Sequence, residues 1–216
     1  MPTVQNIRYL LLQIRNPSDP MRNHEIGCFA RVLKCDAARI RVFDLLSSAP
    51  TRRQLAEVDM VLLGGSGDYS AASSGPWLDR ALDGLRLLHE MRKPTFDSCW
   101  GFQAMARALG GRVIHDASRA ELGTLDLHLT PAGQQDPIFA PLGKTFRGQA
   151  GHEDLVAELP PNATLLASSD LVPHQAYCLP TGPIYCTQFH PEWWTDEHPA
   201  GRRLIANFCD WAGVTS

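Results

Sequence analysis

A three-layer α/β fold, a mostly parallel central sheet with helices on both faces, is predicted by this 216-residue sequence. Three observations carry that expectation. In the first half, short apolar runs alternate with segments of helical period, a β-α-β-α succession that builds parallel sheets. In the second half, short strand-like runs follow one another across Pro/Gly turns, which adds antiparallel strands. Neither a repeat, a low-complexity tract nor a linker interrupts the chain, so residues 1–216 are expected to form one domain.

The elements follow in order. Residues 7–14 read as a strand and 22–34 as a helix whose buried stripe is Ile26, Phe29, Val32 and Leu33. Residues 39–46 are a second strand, and 59–63 (DMVLL) a third, fully apolar at its end. Residues 76–92 are helical, with Leu78, Leu82, Leu85 and Leu88 recurring at three- and four-residue spacing. A short strand at 94–98 leads into a helix at 100–109, which Gly110-Gly111 closes. Strands are then expected at 112–114, 124–130, 164–168, 176–179 and 184–189, before a final amphipathic helix at 202–211.

Composition narrows the function classes. A net charge of −3 offers no electrostatic case for nucleic acid or an anionic membrane. No apolar stretch approaches the roughly 20 residues that span a bilayer. The opening MPTVQNIRYLLLQIR has its leucine run interrupted by Gln13 and Arg15 and lacks a signal-peptide pattern, so a cytoplasmic protein is expected. The six cysteines form no CxxC pair, the histidines are scattered, and neither a metal nor another cofactor is expected. Cys28 and Cys35, seven apart on the first helix, read as small core residues.

In open parallel sheets, ligands gather at the carboxyl ends of the strands. The loop GGSGDYSAASSG, residues 64–75, follows the apolar strand directly. Its glycines let backbone amides approach an oxyanion or carboxylate, although a plain turn explains the same residues. It lacks the GKS/GKT ending of a Walker loop. Cys99, in FDSCWGFQ, stands between a strand and a helix. A tight turn there pushes the side chain clear of the sheet, and the helix N-terminus favours a thiolate. Gly101 leaves room for close helix packing, the arrangement of a nucleophile elbow, whereas a buried core cysteine is the competing reading. A thiolate nucleophile needs a base, and the base an orienting acceptor. His190 and Glu192, in QFHPE at 188–192, end the last apolar run and supply that pair.

Together, GGSGD at 64–68, CWGFQ at 99–103 and QFHPE at 188–192 resemble the class I, triad-type glutamine amidotransferases, in particular the glutaminase domain of GMP synthases, over nearly the whole chain. A weaker match, GQAGHEDLVAELPP at 148–161, looks like the family's segment lining the glutamine pocket. The resemblance implies a flavodoxin-like α/β/α fold and hydrolysis of a γ-glutamyl amide through a thioester on Cys99. His190 would act as acid and base, and Glu192 would orient it. The Gly65 and Trp100 amides would form the oxyanion hole. Gln103 would contact the substrate, and the backbone at Ala150 and Gly151 would hold its α-amino and α-carboxylate groups. His152 is expected to be structural.

Two departures stand out. The family has Gly and then an aliphatic residue before the cysteine, where this chain has Asp97-Ser98. An acidic group close to a thiolate raises its pKa, whereas Ser98 can donate a hydrogen bond, so a change of substrate or activity is expected to be written in this pair. Trp100, bulkier than usual, is expected to narrow the mouth of the site; Trp193 and Trp194 are expected to pack. The substrate is then glutamine or another γ-glutamyl small molecule. A synthase or acceptor subunit would receive the ammonia, and a homodimer stays open. The alternatives are a freestanding γ-glutamyl amide or peptide hydrolase, and a binding or regulatory protein on the same scaffold.

Overall fold

The computed structural model describes residues 7–214. Residues 1–6, on which the expectation of no leader segment partly rests, lie outside it. β1 (Tyr9–Ile14) is buried at every position, and strand alternation sorts its side chains. Tyr9 and Leu11 face α1 (Met21–Leu33), while Leu10 and Leu12 join the core of the opposite face. The chain continues through β2 (Ile40–Asp44), a short α2 (Arg52–Ala56), β3 (Met60–Ser66), α3 (Pro76–Glu90), β4 (Thr95–Ser98) and α4 (Trp100–Ala108). The second half holds β5 (Arg112–His115), β6 (Glu121–Leu129), β7 (Thr145–His152), β8 (Asp154–Glu158), β9 (Thr164–Ser168), β10 (Ala176–Leu179), β11 (Ile184–Thr187) and α5 (Ala200–Ala212).

Among the described residues the main sheet runs β2-β1-β3-β4-β11-β10-β9-β6-β7. From β2 to β11 all neighbours are parallel, and the strands beyond pair antiparallel. The mostly parallel, three-layer arrangement expected from the sequence is thus the one observed. On one face Phe29 and Val32 of α1 and Leu204 and Phe208 of α5 cover Leu11, Leu62 and Phe96. On the other, Leu78, Leu82 and Leu85 of α3 and Met105 of α4 cover Leu10, Leu12 and Leu63. Each such side chain contributes about 1.5–3 kcal/mol by leaving water.

The structure corrects three points. β3 runs on through Ser66, so Gly64-Gly65 end a strand instead of opening a loop. Residues 148–161, read only as a lining segment, carry most of β7 and all of β8; β7 pairs along its length with β6, and β8 with β5. Residues 52–56 form the helical turn α2, opened by a capping box in which Thr51 and Gln54 satisfy each other's backbone amides.

Candidate active site

Three carboxyl-end segments meet: the end of β3, the β4–α4 turn and the chain just after β11. Cys99 occupies the turn with φ +50° and ψ −104°, a conformation that costs a non-glycine residue about 1–3 kcal/mol. What holds it there is packing and a hydrogen bond. The Cys99 amide donates to the Thr187 carbonyl at 2.8 Å, tying the turn to the end of β11. Gly101 permits the close approach of α4, because a Cβ there would stand 2.6 Å from Leu63 Cβ and 3.1 Å from Asp97 Cβ. The tight strand–helix turn expected at Cys99 is therefore present. The Trp100 amide belongs to the first helical turn, whose N–H groups have no partner inside the helix.

His190 follows β11 and donates from Nδ1 to Glu192 Oε1 at 2.8 Å. With Nδ1 so engaged, Nε2 is the ring nitrogen left for Cys99, whose sulfur lies beside Gly65 as the imidazole does. Burial alone would lower the imidazole; Cys99 and Glu192 outweigh it and raise His190 to about 10. Glu192 is itself buried, and its Oε1 also accepts from Ser98 Oγ at 3.0 Å. The strand end carrying Gly65 lies against both side chains: a Cβ on Gly65 would be 3.0 Å from His190 Cε1 and 3.7 Å from Cys99 Sγ. Gly201 lets α5 close on the turn that carries His190 and Glu192, since a Cβ there would overlap the Pro191 backbone.

Cys99 opens onto a cavity of about 380 Å³, with Ser66, Tyr69, Trp100, Gln103, Gly151 and Asp154 among its walls. Of the residues singled out in the sequence, Cys99, Trp100, Gln103, Gly151 and His152 line it, whereas Gly65, His190 and Glu192 do not. Ala150 is buried behind the wall, and the Gly151 carbonyl is 3.8 Å from Cys99 Sγ. Gln103 sits in the cavity wall. Its Nε2 donates to the Asp154 carbonyl at 2.9 Å and to Gln188 Oε1 at 3.2 Å, so its amide nitrogen braces the wall. Trp100 lines the cavity from the start of α4. It is only 2% exposed and packs at a tilt against Trp77, with ring centroids 6.4 Å apart; Trp77 meets Tyr69 edge-on, anchoring the loop after β3. His152 has both nitrogens occupied, by the Asp154 carbonyl and by Glu121, as a structural role requires.

Asp97 turns away from the site. It faces the α4 side, accepts from Cys186 Sγ at 3.5 Å, and is raised to about 8 by burial. Neither Asp97 nor Ser98 lines the cavity. Ser98 acts indirectly, through Glu192. Sequence reasoning missed a polar cluster behind Gly64-Gly65. Arg15 pairs with Asp19 at 3.0 Å and with Glu25 at 3.4 Å, and Gln13 donates to Glu25 at 2.9 Å. Burial raises Glu25 against the lowering pull of Arg15 and Gln13. The signal was visible: Gln13 and Arg15 break an apolar run, and Glu25 sits one turn before Phe29 on the buried face of α1.

The arrangement of a sulfur, an imidazole and a carboxylate beside strand-end and helix-start amides suits acyl transfer. Comparison with known proteins points the same way. The family described as "Glutamine amidotransferase class-I" matches residues 27–211. The glutamine-hydrolysing GMP synthase subunit of Methanocaldococcus jannaschii is 31% identical over 141 residues, covering 65% of this chain and 72% of that protein. Its counterpart from Pyrococcus abyssi is 33% identical over 144 residues, covering 65% and 73%. A crystal structure of a glutamine amidotransferase from Thermotoga maritima superposes with a TM-score of 0.70 at 21% identity, covering 96% of this chain and 84% of that one. No helix among the described residues is long and apolar enough to cross a membrane. With the match running from α1 to α5, the chain belongs to the class I glutamine amidotransferase family and is similar to the glutamine-hydrolysing subunit of GMP synthases.

Proposed function

We propose that the chain hydrolyses the side-chain amide of glutamine, or of a close γ-glutamyl amide, through a thioester on Cys99. The observation that carries this reading is the strained turn that aims Cys99 at His190, itself held by Glu192. The Cys99 thiolate attacks the amide carbon, and the oxygen that gains the electron pair rests against the Gly65 and Trp100 amides. Each such donor is worth about 3 kcal/mol to the transition state. His190 gives its Nε2 proton to the departing nitrogen, the C–N bond breaks, and ammonia leaves. The neutral imidazole then takes a proton from water, hydroxide attacks the thioester, and glutamate departs as the thiolate and imidazolium re-form. Backbone at Ala150 and Gly151 receives the amino-acid end of the substrate.

On this reading residues 1–216 act as one amidotransferase domain. The matched archaeal relatives are each named as one subunit of a glutamine-hydrolysing GMP synthase, so a separate synthase chain is the proposed recipient of the ammonia. Against the GMP synthase of Thermus thermophilus the match takes up only 23% of that protein, which fits the same division. The test compares wild type with Cys99→Ser on glutamine and a panel of γ-glutamyl amides, following released ammonia or amine. Loss of release in the variant is expected; equal release from both proteins sinks the mechanism. Turnover of substituted γ-glutamyl amides in preference to glutamine, without any partner, would instead identify a freestanding hydrolase.

A further inference from the structure

We propose that Trp193 is a positioning residue for His190, an aromatic floor that fixes the imidazole plane toward Cys99 and favours its protonated form. The inference rests on the thioester mechanism above and extends it to a residue outside the triad. The indole and imidazole rings lie face to face, with centroids 3.6 Å apart and planes 6° from parallel. A side chain that merely fills space has no need of that registry, whereas a cation over an aromatic face gains electrostatically from it. The turn explains how the registry arises. Pro191 stiffens the step after His190, and the Trp193 amide donates back to the His190 carbonyl at 3.1 Å, folding the indole under the ring of His190.

The far edge of the indole reaches the substrate wall. Trp193 Cζ3 lies 3.7 Å from where a Cβ on Gly151 would stand, and the Gly151 carbonyl is the one beside Cys99 Sγ. Trp193 thus spans the base and the wall that carries the proposed amino-acid subsite. The charged groups around the imidazole are few. Cys99 faces it from the elbow and Glu192 from its own turn. Arg15, from beyond Gly65, approaches the same spot as His190 Cε1, and the Glu25 carboxylate accompanies it. β7 presents backbone, including the Gln149 carbonyl that accepts from the His190 amide at 2.7 Å. Against this set, Trp193 adds a stabilisation specific to the ring plane that none of the others supplies.

The experiment needs no substrate. Histidine-¹⁵N-labelled wild type, Trp193→Phe and Trp193→Leu are titrated by NMR, with His190→Asn assigning the resonance. In Trp193→Leu the imidazolium-to-imidazole transition is expected to move down by about 0.5–1 pH unit, the worth of a modest cation–π contact. Trp193→Phe, which keeps an aromatic face, is expected to fall between. Iodoacetamide labelling of Cys99, followed from pH 7 to 11 and mapped by mass spectrometry, is expected to change rate at the His190 transition, at lower pH in the Leu variant and between the two in the Phe variant. A folded Leu variant whose His190 titrates with wild type overturns the proposal. Should Leu fail to fold, Trp193→Met, apolar without a ring face, gives the same reading. Equal ammonia release by wild type and Cys99→Ser would overturn the mechanism instead, and leave the His190 titration readable in its own right.

Discussion

Asp97 gives the sharpest thermodynamic test. It is fully buried on the α4 side of β4, with one carboxyl oxygen accepting from Cys186 and the other without a partner. Burial raises it to about 8 against a reference of 3.8. At pH 7 the unfolded chain has this carboxyl ionised while the folded chain keeps it protonated. Holding the proton therefore costs about 4 kcal/mol at that pH, from 1.36 kcal/mol per unit. The sign follows from the raised value: the stability is fully present below about pH 4 and is lost as pH rises toward 8.

Asp97→Asn removes the titration and keeps the shape. The gain of the variant over wild type is expected to grow by about 1.4 kcal/mol per pH unit between pH 5 and 7 and to level off above pH 8. Any fixed difference between amide and carboxylic acid shifts the whole curve without tilting it. His190 is also raised, so its stability too is present at low pH and lost toward pH 10, but it contributes equally to both proteins and cancels in the difference. The assay is urea unfolding at pH 5, 6, 7, 8 and 9, followed by tryptophan fluorescence. A difference that stays level from pH 5 to 8 would falsify the assignment and mean that Asp97 is ionised in the folded protein.

Further outcomes follow from single contacts. Ser98→Ala leaves Glu192 Oε1 with His190 alone; a loss of roughly 1 kcal/mol, or about fivefold in kcat/KM with glutamine, is expected, with unfolding little changed. Gly101→Ala forces α4 off β3, and urea midpoints should report about 1–3 kcal/mol of destabilisation. Arg15→Met strands Glu25 without its cation, an effect of about 3–5 kcal/mol, and adding Glu25→Gln should recover much of it; strict additivity of the two would refute the pairing.

The first half of the fold was legible because its signals are apolar and periodic: β1 and β3 are buried on both faces, and α3 repeats leucines at helical spacing. β7 was illegible for the opposite reason. Its inward residues are Phe146, Gly148, Ala150 and His152, and only the first carries an apolar signal. Gly148 is forced by its neighbours, since a Cβ there would stand 2.7 Å from Leu127 and 2.9 Å from Phe189. The strand exists because β6 supplies its hydrogen bonds, a tertiary fact with no local mark. Within the candidate site, Cys99, His190 and Glu192 were readable from residue type and strand ends. The bracing role of Gln103 and the stack of Trp193 were not, because both depend on which segment arrives opposite.

The pair Asp97-Ser98 shows how strand geometry divides one sequence departure into two unrelated effects. Successive side chains on β4 point to opposite faces. Ser98 shares a face with the turn after β11, where its hydroxyl finds Glu192; Asp97 points at α4, where it finds Cys186. A shift of one residue in the register between β4 and β11 would exchange these environments, putting a carboxylate against Glu192 and the hydroxyl beside Cys186. The repulsion between two buried carboxylates would then oppose the very orientation of His190 that the site relies on. Register here is pinned by the parallel pairing of Asp97 with Cys186 and Ser98 with Thr187, and by the Cys99 amide on the Thr187 carbonyl. The double exchange Asp97→Ser with Ser98→Asp therefore ought to abolish ammonia release even where the protein folds, whereas Asp97→Ser alone ought to leave it intact.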